Sequence, residues 1–246
     1  MGARYTVLAA HQPAYLPWCG FFSRLLEMEA YVALDHVQFS ERGRQHRNQV
    51  RGPASGLPVR LTVPVRHSFG QSLTEVRTAD QAWPRRHWRT LTQAYGRAPY
   101  WTLYADRLRA VYERPWTHLV DLNLSLTRLL LHALDLPARV VRSSELAPRS
   151  SGTGMLVDLC RLRGADTLLV GTGALGYLDG ALLREHRIQV QVATYTHPPY
   201  GADLRGWAPN LSVLDLLMHE GPRARGVLAA GARTRVWEPS VEAVTL

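Results

Sequence analysis

The feature that most constrains the fold is an alternation of apolar period that recurs near both ends of the chain. Tyr5-Thr-Val-Leu-Ala9 is an apolar run of strand length. After a loop holding Pro13 and Pro17, the run Trp18 to Met28 has helical spacing through Phe22, Leu25, Leu26 and Met28, and Tyr31-Val-Ala-Leu-Asp35 is a second strand-like run. Strand, helix and strand joined by short connections form a βαβ unit, which implies neighbouring parallel strands. The alternation resumes with strand Arg139-Val-Val141, helix 154–163, strand 167–170, helix near 181–185, strand 188–194 and helix 211–219. Between the two parts, residues 49–51, 59–65 and 73–77 read as extended, with a turn at Pro53-Ala-Ser-Gly56. Residues 83–134 read as about three helical segments broken near Pro99 and Pro115, and Val120, Leu122, Leu124, Leu126, Leu129, Leu130 and Leu134 mark a central core helix. The expectation is one α/β domain over residues 1–246, with a mostly parallel Rossmann-like sheet flanked by helices. It carries a small antiparallel β and helical insertion at about 40–135 and a short C-terminal extension at about 223–246.

Charge and residue choice then remove several chemistries. All 29 Lys+Arg positions are arginine. Schiff-base and pyridoxal-phosphate enzymes need an amine that deprotonates, and a P-loop needs a compact ammonium, so those classes are excluded. The net charge of +9 points to an acidic partner such as nucleic acid, a nucleotide, an acidic carrier protein or a phosphorylated substrate. The densest stretch, Glu41 to Arg51, holds four arginines in eleven residues, but the remaining charge is spread out, which a solvated surface explains equally well. Two cysteines give neither a disulfide framework nor a metal quartet, and the ten histidines form no H-x-x-x-H or H-E-x-x-H pattern, so no metal is expected. With no leader-like N-terminus and no 18-residue apolar stretch, the expected location is the cytoplasm, away from membranes.

In a parallel sheet the chemistry gathers at the carboxyl ends of the strands. The loop His11-Gln-Pro-Ala-Tyr-Leu-Pro-Trp-Cys-Gly20 follows the first strand, its prolines fix the backbone that carries His11 and Gln12, and Gln12 and Tyr15 are substrate-binding candidates. Asp35 and Gln38 follow the second strand, with Arg47 and Asn48 beyond. A carboxylate beside His11 would set its tautomer and raise its basicity, so His11 and Asp35 are the catalytic candidates. Each also has a plain reading, His11 as a satisfied strand-end group and Asp35 as a cap or ion pair. Gly171-Thr-Gly-Ala-Leu-Gly-Tyr177 lies between a strand and a helix, where backbone N–H groups could hold an anion; Gly171, Gly173 and Tyr177 are its binding candidates, though the spacing is not the dinucleotide fingerprint. Ser143, Ser144 and Glu145 follow another strand and read either as ligands or as a helix cap. Cys19 at a helix start is a possible nucleophile, but Trp18, Phe21 and Phe22 around it favour a packed thiol.

These residues also carry a resemblance. The run from His11 to Phe22, Val32-Ala-Leu-Asp-His-Val-Gln-Phe39, Arg47-Asn48, Leu61-Thr-Val-Pro-Val65, Ser143-Ser-Glu-Leu146 and Asn210-Leu-Ser-Val-Leu-Asp-Leu-Leu217 resemble the WbqC-like protein family. Cys19 and His36 depart from it, where an aliphatic residue and a second Asp are usual. The resemblance implies a biosynthetic enzyme of natural-product or surface-glycan pathways. The expected activity is an acyl or aminoacyl transferase forming an amide or ester, with His11 as general base oriented by Asp35. Gln12, Gln38 and Asn48 would hold substrate, and the glycine loop with Tyr177 and Arg42 or Arg47 would hold a phosphate-bearing group. No resident cofactor is expected; a thioester or aminoacyl donor would be a co-substrate. A small-molecule acceptor, an acidic carrier protein and an aminoacyl-tRNA are the expected partners. Two other classes stay open: a non-catalytic basic protein that binds tRNA or a carrier domain, and an ATP-dependent ligase or nucleotidyl-transfer enzyme, weakened by the absence of lysine.

Overall fold

A computed structural model describes residues 6–52, 57–202 and 207–238. The turn expected at 53–56 lies outside them. The strands are β1 (Val7–His11), β2 (Ala30–Ala33), β3 (Arg47–Val50), β4 (Val59–Thr62), β5 (Val65–Arg66), β6 (Arg77–Thr78), β7 (Arg139–Arg142), β8 (Thr167–Gly171), β9 (Gln189–Tyr195) and β10 (Ala232–Val236). Six of them form one sheet in the order β10-β9-β8-β1-β2-β7, parallel except for β10. Counting only strands of this sheet, the chain order across it is 6-5-4-1-2-3, the doubly wound arrangement. Two antiparallel pairs, β3–β4 and β5–β6, lie in the insertion.

Alternation along the strands sorts the core into two layers. Leu8, Val32, Leu168, Val170, Val190 and Val192 face the helix Gly152–Arg163 and Leu183 of the helix Gly180–Glu185. Ala9, Tyr31, Ala33 and Leu169 face the other way, onto the short helix Cys19–Phe22 and the helices of the insertion and C-terminal part. The helix Leu119–Ala133 buries Leu119, Val120, Leu122, Leu124, Leu126, Leu130 and Leu131, which makes it the apolar axis of that layer. Each such side chain contributes about 1.5–3 kcal/mol of transfer free energy.

Several sequence expectations shift. The helix expected over residues 18–28 is one turn, Cys19–Phe22, followed by a 3-10 turn Ser23–Leu25, because β2 already starts at Ala30. The run 73–77 is a 3-10 turn Leu73–Glu75 capped by Ser72, then β6. The C-terminal part adds the helix Ala224–Gly231 and the antiparallel edge strand β10.

Candidate active site

The first crossover leaves β1 on one face of the sheet and the β8–β9 connection leaves on the other, so the loops after β1 and β8 diverge. A doubly wound sheet opens a crevice at such a point. Here it is a cleft of about 650 Å³ lined by the carboxyl ends of β1, β8 and β9, with Trp18, Arg24 and Tyr177 closing its sides.

His11 is the last residue of β1, and its backbone is held by the Tyr31 hydroxyl, which donates to the His11 carbonyl at 2.8 Å. Its Nδ1 lies 2.8 Å from the Gln12 carbonyl. A carbonyl only accepts, so Nδ1 carries the proton and Nε2 keeps its lone pair. Phe21 meets the ring edge-on at 5.6 Å. Burial, and then the Arg24 guanidinium, push the imidazole pKa down to about 4 against the opposing pull of the Gln12 carbonyl. His11 is therefore neutral at neutral pH.

Arg24 lies on the 3-10 turn after the helix Cys19–Phe22, where its Nε donates to the Gly20 carbonyl at 3.1 Å and its guanidinium packs 5.8 Å from the Phe21 ring centre. Among the described residues no carboxylate lies within ion-pair distance of it. Burial lowers its pKa, but an arginine stays charged under such a push. Gly171 makes room for it: a Cβ there would stand 3.2 Å from Arg24 Nη1. A desolvated cation without a counter-charge is costly unless an anion arrives. Trp18 lies across Gly20, where any Cβ would strike its ring, and meets Tyr195 and His197 at 6.0 and 5.4 Å.

The structure brings His11, Gln12, Gly171, Gly173 and Tyr177 to this cleft and takes the other candidates elsewhere. Asp35 is the main correction. β2 separates β1 from β7, and the fully buried Asp35 carboxylate turns to the β7 side. It accepts from Arg142 Nε at 2.6 Å, Ser143 Oγ at 3.0 Å, and the Ser144 amide and hydroxyl at 2.8 and 2.7 Å. Burial would raise its pKa, but these donors outweigh it and hold the carboxyl below the usual range. The group that orients His11 is thus the Gln12 carbonyl, while Asp35, Ser143 and Ser144 tie β2 to β7. Glu145 is exposed beside them.

Cys19 is fully buried; its surroundings, then Asp215, push the thiol up to about 12, which leaves no thiolate for attack. Tyr15 is a core residue bonded to His87 Nδ1 at 2.8 Å and the Tyr112 hydroxyl at 2.6 Å. Asn48 donates to the Leu16 carbonyl and accepts from the Gln49 amide, pinning the loop from below. Gln12 lines the cleft, but its side-chain oxygen accepts from Gln45 at 2.9 Å. Gln38 is exposed, bridged to Ser72, and Arg47 lines a different pocket. The glycine loop opens with a single 3-10 turn, Thr172–Ala174, and the next helix start is already filled by Asp179, whose carboxylate accepts from the Ala181 and Leu182 amides. The helix N-terminus is thus not open to an anion, while Gly171 and Gly173 remain on the cleft wall. Among the described residues no group of His, Cys, Asp and Glu could hold a metal ion, and no helix is long and apolar enough to cross a membrane.

A family model described as the WbqC-like protein family matches residues 12–226. The chain belongs to this family. It is also 27% identical over 219 residues to the uncharacterized protein Rv1507c of Mycobacterium tuberculosis, covering 88% of this chain and 95% of that one. No solved structure matches. In this WbqC-like chain the match includes most of the cleft, from Gln12 through Tyr195, and it also includes residues that only build the fold, such as Asp215. Sequence reasoning missed Arg24, Trp18, Thr194 and Tyr195 of the cleft. Arg24 had a legible signal, as the lone charge between Trp18 and Leu26.

Proposed function

We propose that the cleft is the active site of a group-transfer enzyme, an acyl or aminoacyl transferase that joins an anionic substrate to an amine or hydroxyl partner. The observation that carries this reading is the placement of a neutral His11, with a free Nε2, beside the uncompensated Arg24 at the strand ends. Arg24 would hold a carboxylate or phosphate of one substrate. His11 Nε2 would take the proton of the attacking amine or hydroxyl while the acceptor displaces the donor's leaving group. Direct transfer fits better than a covalent enzyme intermediate, because the chain has no lysine and Cys19 is held as a buried thiol. The aromatic walls of Trp18, Tyr177 and Tyr195 suit a flat or apolar portion of the ligand.

The test is incubation of the full chain with a panel of acyl thioesters and aminoacyl donors against amine and hydroxyl acceptors, read by product mass. Product is expected from the parent chain and from Cys19→Ser. His11→Ala should lower turnover by about 10²-fold or more, and Arg24→Gln should act mainly on KM. Product formed equally well by His11→Ala, with its fold intact, would overturn the mechanism. No product across the panel, together with steeply salt-dependent tRNA binding, would instead make this a binding protein.

A further inference from the structure

A second pocket opens on the insertion, away from His11. It holds about 200 Å³ and is lined by Arg42, Gly43, Arg44, Arg47, Asn48, Gln49 and Arg60. The β3–β4 register opposes Arg47 to Thr62 and Gln49 to Arg60, which makes Arg47 and Arg60 diagonal neighbours on one face, while Asn48, Val50 and Leu61 are buried on the other. Arg44 is held in place by Nη1, which donates to Asn48 Oδ1 at 3.3 Å and to the Asn210 carbonyl at 3.4 Å, and burial lowers its pKa.

Four arginines therefore line one small volume. Among the described residues no carboxylate lies within ion-pair distance of any of them, and the adjacent Glu41 is engaged with His67 at 2.7 Å. Some arginines elsewhere have carboxylate partners, as Arg86 with Asp80, Arg109 with Glu113, and Arg142 with Asp35 and Asp121; what sets these four apart is that they share one small pocket. Like charges crowded without a counter-charge repel, and a multiply charged anion removes that penalty. Planar guanidinium forks match phosphate oxygens in pairs.

We propose that this pocket binds the phosphate or diphosphate group of a small-molecule ligand. A nucleic-acid footprint would spread its cations along a surface to follow the backbone; these four line one concavity. Position adds a use. The Asn210 carbonyl that Arg44 holds belongs to a residue whose amide donates to His197 Nε2 at 3.1 Å, and His197 packs on Trp18, a wall of the cleft. The arginine pocket is thus linked to the cleft wall through Asn210, His197 and Trp18. The proposal stands whether or not the cleft catalyses.

The test is calorimetric titration of the full chain with inorganic pyrophosphate at fixed ionic strength. Saturable binding is expected, weakened about tenfold or more by Arg47→Gln or Arg60→Gln and unchanged by Arg89→Gln, an exposed arginine on the helix Trp83–Tyr95. Both substituted side chains lie off the buried face of the hairpin, and circular dichroism melting confirms that the variants fold. Absence of binding to the parent chain, equal affinity in Arg47→Gln and Arg60→Gln, or loss in Arg24→Gln alone would overturn the assignment. So would tRNA binding that those two substitutions weaken and pyrophosphate does not displace.

Discussion

At the scale of single residues the site turns on two neighbours thirteen positions apart. His11 owes its low pKa first to burial and second to Arg24. Removing that charge, or neutralising it with a bound anion, leaves the burial and cancels the repulsion, so the His11 pKa must rise from about 4 toward the ordinary value of 6.5. An NMR titration of the His11 ring is expected to give a midpoint near 4 in the parent chain and a higher one in Arg24→Gln. An unchanged midpoint would mean that the two groups do not interact. For a general base the sign follows directly: activity is lost as pH falls through the folded pKa, so the acid limb of kcat/KM should lie near 4 in the free enzyme and move upward in the variant. His11 itself was legible in the sequence, as a polar residue ending an apolar strand before a proline-fixed loop. Its orienting partner was not. A backbone carbonyl leaves no signature in residue types, and Asp35, chemically the natural partner, follows the adjacent strand but turns its carboxylate to Arg142, Ser143 and Ser144 on the β7 side, a placement that periodicity does not contain.

The elements that hold the cleft are fixed by buried polar contacts between distant parts of the chain. The loop after β1 is tied to β3 and the segment before it by the Tyr15 amide on the Arg44 carbonyl, by Asn48 on the Leu16 carbonyl and by Asn123 of the helix Leu119–Ala133, whose side-chain amide donates to both the Pro13 and the Gln45 carbonyls. Just beyond β3, Arg51 grips Asp215 of the helix Val213–Glu220 with two bonds, Nε to Oδ1 at 3.0 Å and Nη2 to Oδ2 at 3.1 Å, and Tyr200 adds a third at 2.9 Å. The Asp215 side chain is fully buried. Arg51→Met leaves that carboxylate desolvated without its cation, which is expected to cost about 3–5 kcal/mol, whereas Arg51→Met with Asp215→Leu should recover much of the loss because both charges are gone. Urea midpoints of the three proteins decide it; equal stability of the single and double variants would show that the ion pair is not what matters. Strand and helix extents on either side of this pair were mostly readable from period alone. The pair was not, since its members stand 164 positions apart. β10 escaped for a different reason. Its Arg233 and Arg235 alternate along an exposed edge, and the resulting strand has too little apolar character to stand out from an extension.

Taken as a whole molecule, the chain buries histidines in their neutral form. His11 and His87 are both lowered to about 4, mainly by burial, and His46 and His197 are lowered for the same first reason. His87 is the clearest of these, 6% exposed, with Nδ1 2.8 Å from the hydroxyl of Tyr15, a residue of the cleft loop. A folded pKa below the unfolded value means that between about 6.5 and 4 the unfolded chain binds more protons than the native one. Stability then rises with pH across that window and falls as acid is added, by up to about 1.4 kcal/mol per pH unit for each histidine that titrates only on unfolding. Above 6.5 the histidines are neutral in both states and contribute no slope. Asp35, whose pKa is lowered, contributes a loss of the same sign only below the usual carboxylate range. Urea midpoints measured at constant ionic strength should therefore drop from about pH 6.5 to pH 5, and His87→Gln should flatten the drop by removing one of the buried imidazoles. A midpoint that stays level or rises on acidification would mean that the native state accommodates the imidazolium forms, and the neutral His11 on which the cleft chemistry rests would fall with it.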